Sequence, residues 1–360
     1  MDHTLHFHWK DASAPKHFRS AVSLHSHTLH SKELLDFIPR FAAKVPALHR
    51  EVLRLSARFE KFHRAPLDFR KGWWTPPLDP NAALRLESAQ IEDLGLHPLV
   101  SLTDHDSLQA HNGGRHIASV ELTVHLQPSF IHLGIHNLPA HRAHEVLAFG
   151  SHPAALMGWL SQFPNALIVL NHPLWDETGI GAAAQRAMVE RFLGRFDGDI
   201  HALELNGLRP WKENSQVLAL ANGWGIPAIS GGDRHGTEPN ANINLTNASS
   251  FDEFVAEIRY RRISRVLFLP QYNRPYPLRI AANMMDILAD HPDHALGWRR
   301  WSDRVFYELH PGVARSLSEY WPGGEPALVR FFLLLVQFMR ASGQLAPIRF
   351  ASGLVQECRP

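Results

Sequence analysis

The chain has 360 residues, with 36 Lys plus Arg against 35 Asp plus Glu, and it carries 25 histidines. That length suits one barrel-type domain or two ordinary ones, and the near-neutral balance gives no bulk attraction to nucleic acid or an acidic membrane. A single cysteine, Cys358, excludes a disulfide framework and a thiolate metal site, so any metal must be held by His, Asp and Glu.

The first residues, Met1-Asp2-His3-Thr4, lack the basic stretch and apolar run of an export signal. The longest apolar run, Phe331 to Val336, is far too short to cross a bilayer. A soluble, cytoplasmic protein is expected. Ala21 to Leu24 reads as a short buried strand, followed by His25 and His27. In an extended segment, residues two apart face the same side, so both imidazoles can address one point. In a chain this rich in histidine, chance spacing is the rival reading.

Ala47 to Arg64 places Leu48, Val52, Leu55, Phe59 and Phe62 at spacings of four and three, the apolar face of an amphipathic helix. Gly72-Trp73-Trp74-Thr75-Pro76-Pro77 breaks it. Asp79-Pro80 is an N-cap with proline at the first helical position, opening a helix to Leu94 that Gly95 stops. Alternation follows. Strands are expected at Leu99–Thr103, Ile117–Val124, Phe130–Ile135, Ala166–Leu170, Ile200–Leu205 and Ile226–Ser230. Helices are expected around Ala154–Gln162, Ala183–Phe196 and Ser215–Asn222. With the first strand, these seven predict an α/β protein whose parallel sheet closes into a barrel, with polar residues at strand C-terminal ends. Ser250 to Arg262 is a further helix and Arg265 to Leu269 a last strand. Residues 271–360, punctuated by prolines, read as a helical extension, so the expected division is a barrel domain over 1–270 and that extension.

The polar groups at strand ends are His25, His27, Asp104, His105, Asp106, Glu121, His132, His172, Asp233 and His235. Buried ionisable groups are costly unless paired or metal-bound. Carboxylate and imidazole without thiolate suit Zn²⁺, Mn²⁺ or Fe²⁺. A carboxylate bridging two ions gives the arrangement that activates water in phosphate ester hydrolysis.

His25-Ser26-His27-Thr28, Leu102-Thr103-Asp104-His105-Asp106, Val120-Glu121, His132-Leu133-Gly134, Asn171-His172-Pro173 and Gly232-Asp233-Arg234-His235-Gly236 resemble the ordered motifs of the PHP (polymerase and histidinol phosphatase) superfamily. Gly95-Leu96 and Leu203-Glu204-Leu205-Asn206 fit the same order, and the resemblance covers about residues 20–240. It implies a distorted (β/α)7 TIM-like barrel with two or three divalent metal ions. By that resemblance, His25, His27, Glu121 and Asp233 hold a first metal, and Glu121 bridges to a second held by His132 and His172. His105 and His235, with one more ligand shortly after the His-x-His, hold a third. A hydroxide between metals is then the nucleophile.

Two departures stand out. Where many members read Ser-Asp-Gly, this chain has Ser31-Lys32-Glu33. Glu33 is the expected substitute ligand and His30 the fallback, while Lys32 is a candidate cation for a phosphate. The second departure is a helical insertion over about 34–90, of the kind that forms lids or substrate walls. Arg234 either grips a phosphate from within the site or points away and pairs with an acid. Asp106 either orients His105 or acts in acid–base chemistry, and Asp104 caps a turn. Glu204 is expected to support the ligands. Arg209, Trp211 and Lys212 line the mouth or form a solvated loop.

The expected function is metal-dependent hydrolysis of a phosphate ester on a small phosphorylated molecule. Nucleic acid is disfavoured by the neutral charge, and no serine nucleophile elbow is present. The rivals are hydrolysis of an amide, lactone or other carbonyl, and a non-catalytic metal-binding or regulatory module on the same scaffold.

Overall fold

The structure, a computed structural model, describes residues 2–111 and 116–342. It is a mixed α/β fold with several sheets. The strands are β1 (Asp2–Phe7), β2 (Ser20–Leu24), β3 (Glu33–Leu34), β4 (Gly72–Trp74), β5 (His97–Ser101), β6 (Val120–His125), β7 (Phe130–His136), β8 (Leu167–Asn171), β9 (Ala202–Asn206), β10 (Ala228–Gly231), β11 (Asn242–Thr246), β12 (Ile263–Phe268), β13 (Val305–His310) and β14 (Val313–Ser316). The helices are α1 (Phe37–Ala43), α2 (Pro46–His63), α3 (Pro80–Glu92), α4 (Pro153–Leu160), α5 (Ala182–Phe196), α6 (Trp211–Trp224), α7 (Phe251–Arg259), α8 (Tyr276–Ile287), α9 (Leu317–Tyr320) and α10 (Ala327–Ser342).

One five-stranded sheet has the order β1-β12-β11-β2-β5, and a second has β10-β9-β8-β7-β6. The expected all-parallel sheet is corrected here. β6 and β7 pair antiparallel, as do β7 and β8, and β11 runs antiparallel to both β2 and β12. The reason for the first pair is loop length: only residues 126–129 join β6 to β7, enough for a hairpin but not for a crossover. β1 and β11 were not anticipated at all.

The two sheets share one interior. Val22 and Leu24 of β2 meet Leu167 and Val169 of β8, Ala202 of β9 and Ile229 of β10, and Phe251, Phe254, Val255 and Ile258 of α7 complete that cluster. Outside the second sheet, Met188, Val189, Phe192 and Leu193 of α5 and Val217, Leu220 and Ala221 of α6 bury the faces that their 3.6-residue period predicts. Beyond the last hydrogen-bonded residues, isolated bridges join Ser26 to Arg234 and His105 to Glu121, linking the segments after β2 and β10 and those of β5 and β6.

The segment after residue 270 is not wholly helical. β13 and β14 form a hairpin, and β13 pairs with β4 of the insertion, which pairs with β3. The pairing of β13 with β4 joins residues more than 200 positions apart in sequence, so local patterning does not mark it. Arg304, fully buried, ties the junction by donating to the carbonyls of Ile287 and Ala289. Helices α8, α9 and α10 do fall in the expected extension, and its residues 343–360 lie outside the described residues. The insertion contains α1, α2 and α3, with Asp79 capping α3 through Asn81 and Ala82. The apolar face predicted for α2 is only partly covered: Phe59 packs on Tyr307, whereas Leu55 and Phe62 are exposed.

Candidate metal centre

Six imidazoles and three carboxylates converge where the segments after β2, β5, β8 and β10 meet β6 and β7. They are His25, His27, Glu33, His105, Glu121, His132, His172, Asp233 and His235. Four overlapping groups have ligand atoms close enough to share an ion: His27, Glu33, His105 and His235; His25, Glu121 and His172; His25, His27 and Asp233; and His105, Glu121 and His132. His132 and His172, expected to share one ion, therefore fall in separate groups, each with Glu121.

The backbone is bent to bring them there. His25, His172 and Asp233 have φ of 62°, 26° and 57°, three of the seven described non-glycine residues with positive φ. Such strain is costly and persists where the surroundings over-determine it. It turns each side chain at a strand end into the shared cavity.

Hydrogen bonds fix which ring nitrogen carries a proton. His25 Nδ1 lies 2.5 Å from Glu204 Oε1, so Nδ1 donates and Nε2 faces Glu121 at 3.0 Å and Asp233 at 3.6 Å. The Ser31 hydroxyl donates its one proton to Glu33 and therefore accepts from His27 Nδ1 at 3.2 Å. His27 Nε2 is then a lone pair, buried without a hydrogen bond, 3.3 Å from Glu121 and 3.4 Å from Asp233. His235 Nδ1 donates to the carbonyl of Asp233, leaving Nε2 facing Glu33 at 3.3 Å. His132 Nδ1 is likewise buried without a hydrogen bond, 3.5 Å from Glu121. A ring nitrogen facing a carboxylate needs a proton or a metal ion between them.

The titration behaviour shows how tightly these groups are coupled. Burial opposes ionisation of Glu121 and Asp233, yet the surrounding histidines hold both carboxyls well below the usual range. Glu33 is also lowered, by His105 and His235 against burial. Burial and the neighbouring His235 push His27 down to about 3, while Glu121 and Glu33 outweigh burial and raise His105 to about 9. Neighbouring carboxylates, outweighing burial, likewise raise His25, His172 and His235, so charged imidazoles offset the carboxylates where a divalent cation would otherwise do so. All donors are N or O, the set that suits Zn²⁺, Mn²⁺ or Fe²⁺. The residues fit divalent metal ions.

The surrounding contacts align the ligands. Glu204 Oε2 accepts from the His172 amide at 2.7 Å and from Asn206, whose amide also reaches Asp233. Gly231 makes room for this carboxylate, since a Cβ there would lie 1.7 Å from Glu204 Oε1. Asp104 caps Thr28, accepting from its amide at 2.6 Å and its hydroxyl at 2.7 Å; burial raises its pKa to about 6.

Three residues expected in catalysis do not face the cluster. Lys32 is exposed, with its ammonium 4.9 Å above the Trp73 ring. Asp106 is exposed and accepts from the Thr123 amide, so it holds β6 rather than His105. Arg234 points away and pairs with Glu87, the second of the two alternatives for it. His30, the fallback ligand, belongs to none of the four groups.

Sequence reasoning missed Trp175 and Glu177, on the loop after His172. Trp175 packs edge-on against His172, with ring centroids 5.1 Å apart, and the Arg209 guanidinium lies 3.9 Å above its ring. Arg209 makes no ion pair among the described residues, and its Nε is buried without a hydrogen bond. Burial raises the Glu177 carboxyl against the pull of His105 and His172. The insertion reaches this loop, with Arg40 donating to the Glu177 carbonyl at 2.6 Å. At the other end, Trp74 packs on His235 at 5.7 Å.

No protein-family model and no curated protein matches the chain. Among solved structures, a candidate metal-dependent phosphoesterase from Bifidobacterium adolescentis is 15% identical over 51% of this chain and 91% of its own, with a TM-score of 0.32. PsfC from Pseudomonas syringae is 13% identical over 74% of this chain and 98% of its own, TM-score 0.40. An amidohydrolase from Chromobacterium violaceum, with bound sulfate and no metal, is 14% identical over 58% of this chain and 93% of its own, TM-score 0.33. At these scores the likenesses carry nothing about the reaction.

Proposed function

We propose that the chain is a metal-dependent phosphoesterase of the PHP type, built on a distorted seven-stranded barrel. What supports the barrel is the pair of isolated bridges, which link β2 to β10 and β5 to β6 across the gaps between the two sheets. Taken with the sheet orders, they give a ring of β2, β5, β6, β7, β8, β9 and β10.

The observation that carries the function is the set of ring nitrogens of His25, His27 and His235 facing Glu121, Asp233 and Glu33, with His27 Nε2 buried without a hydrogen bond. His25, His27 and Asp233, His25, Glu121 and His172, His105, Glu121 and His132, and His27, Glu33, His105 and His235 are the groups that would hold two or three ions. Divalent ions there supply Lewis acidity toward a phosphoryl oxygen and lower the pKa of water. Glu121 supplies both carboxylate oxygens to different histidines and so spans the groups. Glu204 keeps His25 in the tautomer that presents Nε2. Arg209, half-buried over Trp175 and in no ion pair among the described residues, supplies positive charge for an anionic substrate.

The test is metal analysis of the purified protein, with phosphomonoesters, phosphodiesters, amides and lactones assayed under added Mn²⁺ or Zn²⁺. Bound metal and turnover of a phosphate ester are expected. Turnover of carbonyl substrates alone would overturn the phosphoesterase reading. Bound metal without turnover of either class would make the chain a binding module, and no bound metal would sink the reading altogether.

A further inference from the structure

We infer that Arg234 and Glu87 form a buried clamp that positions the two ligand-bearing loops against each other, an inference that rests on the metal reading above. Arg234 lies between Asp233 and His235 in sequence, yet its guanidinium turns away from both. Nε pairs with Glu87 Oε1 at 2.9 Å, with side-chain exposures of 2% and 0%. Of the outer nitrogens, Nη2 donates to the His27 carbonyl at 2.9 Å and Nη1 to the Gly236 carbonyl at 2.8 Å. The fork therefore grips one loop at a ligand residue and the other just after one.

The backbone completes the weld. His27 N donates to the Arg234 carbonyl at 2.9 Å, and Asp233 N to the His25 carbonyl at 2.7 Å. Glu87 anchors the assembly to α3. Its carboxylate accepts from Ser23 at 2.9 Å, from Ser26 at 3.3 Å and from the Asn240 amide. Asn240 in turn donates to Ser23, Ser26 and the Leu24 carbonyl.

Stability gives no sufficient reason for such a pair. Desolvating two charges is expensive, and replacing a buried ion pair by apolar residues of similar volume is often neutral or stabilising. Planar geometry does give one. A guanidinium places donors on three nitrogens held in one rigid plane, and so reaches a carboxylate and two carbonyls on different loops, which the single nitrogen of an ammonium cannot span. The clamp holds His27, Asp233 and His235 at fixed separations. Arg234 and Glu87 are positioning residues, since neither touches the cavity where the ions would sit.

The experiment compares the full-length wild type with Glu87→Met/Arg234→Met and with Arg234→Lys. Apo stability is followed by thermal unfolding, metal affinity by Mn²⁺ or Zn²⁺ titration, and ligand geometry by the visible spectrum of the Co²⁺ form. The double variant strands the buried partners of both side chains, so it is expected to fold with a lowered unfolding temperature, while metal affinity, measured well below that temperature, falls about 10–100-fold. Arg234→Lys keeps the charge but not the fork, and a smaller loss with an altered Co²⁺ spectrum is expected. Wild-type affinity and spectrum in either folded variant would overturn the clamp alone. A wild type that binds no metal would overturn the parent reading and the clamp with it. If both variants fail to fold, the pair is structural and the inference falls.

Discussion

His25 and Glu204 are joined through Nδ1 and Oε1 at 2.5 Å, behind the cavity and out of reach of solvent. The contact sets the imidazole tautomer and aims Nε2 at Glu121 and Asp233. The second oxygen of Glu204 holds the His172 amide, so one carboxylate supports residues at two strand ends. Glu204→Ala is therefore expected to lower metal affinity about 10–100-fold, measured by titration, with Glu204→Gln intermediate. Gly231→Ala should produce the same phenotype without touching Glu204 chemically, because the added Cβ displaces the carboxylate. Wild-type affinity in both variants would count against the role.

Lys32 and Glu33 are neighbours with opposite expectations. Glu33 reaches His105 and His235, while Lys32 lies over Trp73 on the outside. Glu33→Ala should reduce the number of ions bound and activity together. Lys32→Ala should leave turnover unchanged and shift stability by no more than about 0.5 kcal/mol. Metal counting by elemental analysis and steady-state kinetics on the two variants check this.

Much of the candidate site was legible in sequence because most of the candidate ligands follow or sit in a short apolar strand, as with Val22-Ser23-Leu24-His25 and Val169-Leu170-Asn171-His172. The nine residues singled out as ligands lie together. What was illegible depends on distant partners. Arg234 turns outward because Glu87 lies 147 positions away, in α3, where nothing local announces it. β11 escaped notice because its buried Asn242 and Asn244 look like loop residues; their amides reach the carbonyls of Leu205, Val22 and Ser230. β3, β4, β13 and β14 are short, and only their pairing makes them strands.

Removal of metal should be visible in stability as well as in activity. Two buried carboxylates and one partly buried carboxylate share one cavity, and an ion that binds only the folded chain stabilises it by mass action. At a free concentration 100-fold above Kd, one site contributes about 2.7 kcal/mol. Treatment with a chelator is expected to lower Tm, and excess Mn²⁺ or Zn²⁺ to restore it. In Glu121→Ala, where two of the four groups lose a donor, Tm should respond much less to the metal. A chelator-insensitive Tm in the wild type would contradict the fit of the donor set.

Away from the cavity, His201 gives a pH test of the fold itself. It opens the turn into β9, is buried, and accepts from the Ile168 amide through Nδ1 at 2.9 Å. Burial, with Arg259 and Arg262 nearby, pushes its pKa down to about 3 from the ordinary 6.5. The unfolded chain thus binds a proton at this residue between pH 6.5 and 3 while the folded chain does not. Stability from this group is complete above pH 6.5 and is lost as pH falls toward 3, by up to about 1.4 kcal/mol per unit. His201→Gln keeps an acceptor for Ile168 but cannot titrate, so its stability should fall less steeply over that window. Urea unfolding of both proteins in chelator, at several pH values, measures the difference. Parallel curves would show that His201 is protonated equally in both states.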